Sequence, residues 1–481
     1  MWAFASAQPV LFSIVVLSYV LGLLCAAQAI LRSRTPQGAT AWVLSLISLP
    51  IITVPLFLIF GRSKFEGYNN RRRLLENKVT DKFNSLAVIK PGEGGENEED
   101  LSDQLKLIQA TISKKNQPGF TRKNSIKLLV NGKQTYDSMI ADLEKAENYI
   151  LLQVYLFRCD EIGNKISEIL MRKARAGVRV TFMNDDVGNK IPRQTLKDLH
   201  AAGVKTGTFN NTIGKGRLQI NFRNHRKILI IDGKVGYVGG HNIGDDYLGL
   251  WKEWGPWRDT HVRLTGPSVI AAQLAVAKDW YFVHEQDLDC DWKIHQSEAD
   301  ADVLVLHTGP ADEKHTCLLA HISLINSACK RLWIANPYVV PPESLTNAIL
   351  LASMRGVDVR IIMPNYSDSR SVMLASQVYQ ETFLKHGIRV YRYTSGFLHQ
   401  KVMLVDECFG IVGSANFDCR SMFINFEISS ISTDKQLIEE MGAMLESDFI
   451  NSQEMSLETF KHRSLLSQIA SRAANLLAPV L

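Results

Sequence analysis

The sequence predicts an α/β protein of two pseudo-symmetric halves, each a mixed sheet flanked by helices, preceded by a two-helix transmembrane hairpin. Two uncharged apolar runs open the chain, and helix and strand patterns alternate through most of the rest. That alternation recurs with the same polar residues after roughly 180 residues, a period too long for a solenoid and therefore a duplicated domain.

At 481 residues the chain exceeds one ordinary compact core. Apolar residues make up 46% of it, a globular proportion, so the membrane part is a minority. The net charge of +5 suits an anionic partner, phospholipid surface or nucleic acid, without demanding one. The seven cysteines are odd in number and widely spread, which points to unpaired, mostly buried thiols in a reducing compartment rather than a zinc site.

No charge occurs from Met1 to Leu31, and Gly38 to Gly61 is also uncharged. Each run holds about 20 residues or slightly more, enough to cross a hydrocarbon core as a helix. The expected spans are about 10–30 and 39–60 within a hairpin of residues 1–63, with Pro50 and Pro55 bending the second. A cleaved signal peptide fits less well, because no basic segment precedes the first run and a second follows at once. Arg62, Lys64, Arg71, Arg72 and Arg73 follow the second span, against Arg32 and Arg34 in the turn, which places the body in the cytoplasm.

Residues 64–125 form a charged linker, with a Gly- and Glu-rich run from Lys90 to Asp100 that cannot bury much apolar surface. The first half is expected at 126–300, the second at 301–455, and an amphipathic tail at 456–481. In each half a helix ends on a glycine, Gly177 or Gly356, and a Val-rich strand follows.

The chemistry gathers where the halves repeat most closely. The first carries His225, Lys227, Asp232, Gly239, Gly240 and Asn242; the second carries His399, Lys401, Asp406, Gly413, Ser414 and Asn416. Strand alternation sends His and Lys of each pair to one side. Asp232-Gly233 makes a hairpin turn that returns the chain, with Asn242 and Asn416 arriving near the His-Lys face. Asp232 and Asp406 have the wrong parity for that face and are expected to organise the site by hydrogen bonds. Two imidazoles, two ammonium groups and two amides suit a phosphodiester: Lys and Asn hold the non-bridging oxygens, one His attacks phosphorus, and the other moves the leaving-group proton. The scheme calls for no metal or other cofactor. One His-x-Lys pair is most often a surface accident; the whole pattern twice is not.

These segments resemble the paired HKD motifs of the phospholipase D superfamily. With Val238–Gly249, Gly255–Pro267 and the two spans, the chain resembles bacterial cardiolipin synthases over essentially its full length. The resemblance implies two phospholipase D-like halves with His225, Lys227, Asp232, His399, Lys401 and Asp406 as the catalytic set, and Asn242, Asn416, Lys227 and Lys401 holding phosphate. It implies a phosphatidyl-histidine intermediate, with phosphatidylglycerol as donor and acceptor and cardiolipin and glycerol as products. His225 is then the nucleophile and His399 the acid and base, an order the near-symmetry leaves open. It also implies a carboxylate orienting each histidine: Glu427 matches in the second half and Asp259 best in the first, a strand-end role being the alternative. The implied setting is a multi-pass protein of the bacterial plasma or inner membrane, whose partners are the bilayer and its lipids and not nucleic acid.

Lys215, Arg217, Arg223 and Arg226 either face anionic headgroups or form a solvated loop. Leu465, Leu466, Ile469, Ala473, Leu476 and Leu477 share one side of a tail helix that either lies in the membrane interface or packs on the body. Two competing functions remain: a membrane phosphodiesterase in which water resolves the intermediate, and a non-catalytic lipid-binding scaffold. The completeness of both motifs disfavours the scaffold; transfer against hydrolysis depends on how the pocket treats water.

Overall fold

A computed structural model describes residues 9–33, 35–61, 65, 68, 108, 119–210, 221–312 and 314–479. It divides into two units, 1–67 with 210–223 and 68–209 with 224–481.

The amino-terminal unit contains helices α1 (Pro9–Arg32), α2 (Pro36–Ser48) and α3 (Pro50–Phe60). The second expected span is therefore two helices broken at Leu49, not one bent helix. Proline has no N–H to continue the ladder and pushes the preceding residue out of the helical region, and Leu49 sits at φ −137°, ψ 59°. Across the break the Thr53 hydroxyl donates to the carbonyls of Ser45 (3.1 Å) and Leu49 (2.8 Å). Among the described residues, Val10–Arg32 is the helix long and apolar enough to cross a membrane by itself. Its outward residues are large and apolar, with Val10, Leu17 and Leu24 more than half exposed, while Cys25, Ala26 and Ala29 face a small core with Leu46, Val54 and Phe57. Gly22 lets α1 approach closely: a Cβ there would lie 2.8 Å from the Leu46 carbonyl oxygen.

Apart from Phe65, Tyr68, Ile108 and residues 119–125, the expected linker lies outside the described residues. Its end is strand, since β1 begins at Thr121.

The larger unit carries one fifteen-stranded sheet. Its first half uses β1 (Thr121–Val130), β2 (Tyr149–Val154), β3 (Arg179–Asp185), β4 (Lys205–Phe209), β5 (Ile228–Ile231), β6 (Val235–Gly239) and β8 (Thr260–Thr265), with the short β7 (Trp257–Arg258) apart. The order is β1-β8-β6-β5-β2-β3-β4. The second half uses β9 (Ala301–Thr308), β10 (Arg331–Ala335), β12 (Asp358–Pro364), β13 (Arg389–Tyr393), β15 (Val402–Val405), β16 (Phe409–Gly413), β18 (Glu427–Ser432) and β19 (Ser452–Glu454), with β11 (Val339–Val340), β14 (Phe397–Leu398) and β17 (Phe417–Asp418) apart. Its order, β9-β18-β16-β15-β10-β12-β13, repeats the first, and β19 closes the edge. The duplication read from the sequence is thus a duplication of topology, joined where β1 runs antiparallel to β9. In each half the outer strands are parallel, as helical crossovers require, and the motif hairpins are antiparallel.

Two helices sit at equivalent places, Ser268–His284 in the first half and Lys435–Ile450 in the second. They share one core with both halves, in which Val262, Ala272 and Ile228 belong to the same cluster as Val402, Ile428 and Met441. Each half adds a core of its own beneath its outer helices. The halves are therefore not separable beads: burial of their inner faces depends on both.

Candidate active site

Each His-x-Lys segment runs extended into the first strand of its hairpin, β5 or β15. Asp232 (φ 54°) and Gly233 (φ 63°), both left-handed, make the first turn within a three-residue loop, Asp232 to Lys234, between the paired Ile231 and Val235.

The segments do not pair within their own halves at the histidine. The N–H of His225 donates to the carbonyl of Phe426 (2.9 Å), and the N–H of His399 donates to that of Arg258 (2.8 Å). Each histidine is thereby laid beside the residue that follows its partner, and that residue is an acid. His225 Nδ1 lies 3.1 Å from both carboxylate oxygens of Glu427. His399 Nδ1 lies 2.7 Å from Asp259 Oδ2. The structure thus brings together both histidines and both orienting carboxylates named from the sequence, with the partners exchanged between halves.

The acids are themselves held. Glu427 accepts from Ser414 Oγ, from Ser421 Oγ (2.8 Å) and from Asn425 Nδ2 (3.2 Å). Asp259 accepts from the N–H of Thr260 (2.8 Å). The small pair after each hairpin has a physical reason here: a Cβ on Gly240 would lie 2.0 Å from Asp259 Oδ1, whereas Ser414, at the matching place, supplies a hydroxyl to Glu427.

Lys227 donates to the carbonyl of His225 (2.6 Å), and Lys401 donates to that of His399 while its ammonium stays within 3.0 Å of both imidazole nitrogens. Aromatic edges complete the walls: Tyr155 at 5.3 Å from the His225 ring, and Trp257 at 5.2 Å from the His399 ring.

Burial sets the protonation states. It lowers the pKa of His225, assisted by Lys227 and opposed by Glu427, and lowers His399 to about 4, assisted by Lys401. Both imidazoles are neutral at neutral pH. Burial also takes Lys227 well below the ordinary lysine value and Lys401 down to about 8. Burial alone would raise Asp259 and Glu427, but the histidines and lysines around them win: His241, Lys401 and His399 hold Asp259 low, and His225 and Lys227 hold Glu427 low. Lys401 also depresses His225 and Lys227, so the two motifs share one electrostatic space.

Asp232 and Asp406, grouped with the catalytic set on the resemblance, lie at the far ends of β5 and β15 from the histidines. Asp232 accepts from the N–H groups of Glu147, Asn148 and Tyr149 at 2.7–2.9 Å. Asp406 accepts from those of Cys329, Lys330 and Arg331 at 2.8 Å. Each pins the start of β2 or β10 to the motif hairpin through these hydrogen bonds. Asn242 uses Nδ2 on the Tyr247 hydroxyl (2.6 Å) and Oδ1 on the Leu156 N–H (3.1 Å), which leaves Nδ2 a second hydrogen, while the buried Oδ1 of Asn416 finds no partner among the described residues. Of the four basic residues singled out at the first motif, Lys215 and Arg217 lie outside the described residues and Arg223 is buried. Arg226 does not face headgroups: it is buried and bonds to Asp279 (2.6 Å) and to the carbonyls of Glu427 and Thr308.

That last contact has a counterpart that sequence reasoning missed. Gln400, the residue between His399 and Lys401, donates to Asp448 (2.7 Å), which also receives Arg258. Asp279 and Asp448 lie on the two equivalent long helices. The signal was present, since strand parity sends the middle residue of His-x-Lys away from the site. Also missed were Ser421 and Asn425 around Glu427, and a buried pair, His241 and His261, whose Nδ1 atoms are 3.2 Å apart beside Asp259.

The family model described as "Cardiolipin synthase, PLD-like domain" matches residues 139–255 and 321–449. The chain is 38% identical over 468 residues to Cardiolipin synthase A of Pseudomonas aeruginosa (strain LESB58), covering 96% of this chain and 94% of that one. It is 37% identical over 479 residues to Cardiolipin synthase A of Pseudomonas putida (strain GB-1), covering 97% of each. Among solved structures, phosphatidylserine synthase of Haemophilus influenzae Rd KW20 superposes with a TM-score of 0.60 at 16% identity, over 79% of this chain and all of that one, a likeness of fold.

Proposed function

The chain belongs to the cardiolipin synthase family with phospholipase D-like domains, and on that premise we propose that it is a phosphatidyltransferase that joins two phosphatidylglycerol molecules into cardiolipin and glycerol. The observation that carries the reading is the exchanged pairing of His225 with Glu427 and of His399 with Asp259, each histidine backed by a lysine.

Glu427 on Nδ1 of His225 places the ring proton there and leaves the Nε2 lone pair for phosphorus. Attack forms the P–N bond and breaks the P–O bond to the glycerol headgroup, whose oxygen takes a proton from His399. Neutral His399 must first gain that proton. The phosphodiester brings it about: its negative charge stabilises imidazolium and ammonium, raising the pKa values of His399, Lys227 and Lys401 together. The terminal hydroxyl of a second phosphatidylglycerol then gives its proton to His399 and attacks phosphorus, releasing His225. Lys227 and Lys401 neutralise the non-bridging oxygens, to which an asparagine amide can donate only through Nδ2.

A histidine-bound phosphatidyl group is open to any hydroxyl that reaches it in line, and water is present at about 55 M in bulk, so transfer depends on positioning and exclusion. Phosphatidylglycerol in bilayers is expected to yield cardiolipin and glycerol in nearly equal amounts, and excess glycerol to reverse the reaction, because one phosphodiester replaces another. Lipid products identified by mass check this. Dominant phosphatidic acid would identify a phosphodiesterase instead.

We place the catalytic unit on the cytoplasmic side of a bacterial plasma or inner membrane, on the strength of the basic residues Arg71, Arg72 and Arg73 after the second apolar segment. A cysteine at Gln37 is expected to react with an impermeant thiol reagent in intact cells, and one at Glu96 is not. The reverse pattern would refute this topology.

A further inference from the structure

One apolar surface of the larger unit serves neither the core nor the site. Helix Leu465–Asn475 near the carboxyl end seats its small-residue side on helix Arg370–Lys385: Ser471 donates to Gln377 Oε1 (2.9 Å), and Ala474 and Ala478 pack with Val372, Ala375 and Tyr379. Its other side points outward, with Leu465 71%, Leu466 80%, Ile469 54%, Leu476 81% and Leu477 50% exposed. Of the alternatives read from the sequence, packing on the body is met by the small residues, while the large ones stay exposed. Five clustered aliphatic side chains in water mark a contact surface. Its charge says of what kind: no acidic residue occurs from Thr459 to Leu481, and the exposed Lys461 and Arg472 flank the apolar stripe, Lys461 in an ion pair with Glu458. An apolar stripe on a segment whose unpaired charge is basic suits an anionic lipid surface.

Its place in the fold adds a second argument. The cluster that receives Ala474 and Ala478 also includes Tyr338, whose hydroxyl donates to Asp368 (2.6 Å). The charge of Asp368 reaches His399 and Lys401. The helix therefore packs in the same cluster as Tyr338, the partner of Asp368, on the flank of the larger unit whose charge acts on His399.

We propose that this helix is the footing of the catalytic unit on an anionic phospholipid bilayer: Leu465, Leu466, Ile469, Leu476 and Leu477 enter the acyl boundary, and the His399 side of the site is held at the lipid surface. The proposal rests on the phospholipid reading of the site. Its consequence is that headgroups reach the histidines without leaving the membrane plane.

The test uses the full chain in proteoliposomes of phosphatidylglycerol, with an environment-sensitive fluorophore on a cysteine replacing Leu466 and, separately, Lys330, in a background where Cys329 is serine. Bromine on the lipid acyl chains is expected to quench the probe at 466 and not at 330. An unquenched probe at 466 overturns the proposal, as does quenching equal at both places. The variant with all five residues changed to Gln, whose fold is checked by an unchanged melting temperature, is expected to lose on the order of tenfold or more in turnover of bilayer substrate. It should keep wild-type turnover of short-chain phosphatidylglycerol dispersed as monomers. Equal losses on both substrates overturn the footing, and so does a dimer that the five substitutions dissociate while the probe at 466 stays unquenched, which would make a second copy the occupant. Failure of the wild type to act on either substrate would refute the functional reading and leave the quenching result to decide on the helix.

Discussion

Replacing either motif histidine by alanine, His225→Ala or His399→Ala, is expected to lower turnover by on the order of a thousandfold or more, because each removes a group that no neighbour can replace. Binding should change much less, since Lys227 and Lys401 remain to hold the anion. The two variants should fail at different steps. Without His225 no phosphorus–nitrogen bond forms, so a brief incubation with radiolabelled phosphatidylglycerol leaves the protein unlabelled. Without His399 the nucleophile persists, and any slow attack leaves label trapped on the protein. The exchanged carboxylates sharpen the test: Glu427→Gln, in the second half, should impair the chemistry of His225 in the first, and Asp259→Asn that of His399. Substantial turnover by either purified histidine variant would sink the scheme, and trapped label in the His225 variant would reverse the order of roles.

The aspartates of the two motifs should behave in another way. Asp232 and Asp406 each accept three main-chain N–H groups, and alanine would leave those donors without a protein partner. A buried unsatisfied donor costs about 1–3 kcal/mol, and partial access to water lowers that for the half-buried members. We expect Asp232→Ala and Asp406→Ala each to lose about 3 kcal/mol or more, a large share of the roughly 5–15 kcal/mol that holds an ordinary domain together. Asn, which keeps one carbonyl oxygen, should lose less. The measurement is a denaturation midpoint in detergent beside activity per folded molecule. A fully stable but inactive Asp232→Asn protein would return that residue to the chemistry.

Much of this was legible in the sequence, for identifiable reasons. Strand alternation put His225 with Lys227 and took Asp232 off their face, and the hairpin turn at Asp232-Gly233 was written in its residue types. The same parity argument, applied to Arg226, would have turned it inward to Asp279 instead of toward headgroups. Local pattern could not show that Glu427 serves His225, because the contact is made between residues 202 positions apart and only the assembled sheet brings them together. The break at Leu49 was foreshadowed by Pro50, but whether a proline bends or ends a helix depends on what satisfies the freed carbonyls and on packing, here the donating Thr53 hydroxyl and a close approach at Gly22. The first five residues of strand Thr121–Val130 read as linker because its burial does not follow simple alternation and they include Arg122 and Lys123.

The exchange of carboxylates also bears on how such a chain can arise. A single ancestral half would carry a histidine with no acid for it and an acid with no histidine, yet two identical copies related by a twofold axis would supply both at once. Activity in a symmetric dimer therefore needs nothing that one gene does not encode, and fusing two copies end to end preserves each histidine–acid pair from the first generation. After fusion the two centres are free to diverge, as the differences between Asp259 and Glu427, Gly240 and Ser414, and Arg226 and Gln400 record: one lineage of residues can specialise for attack while the other specialises for moving protons.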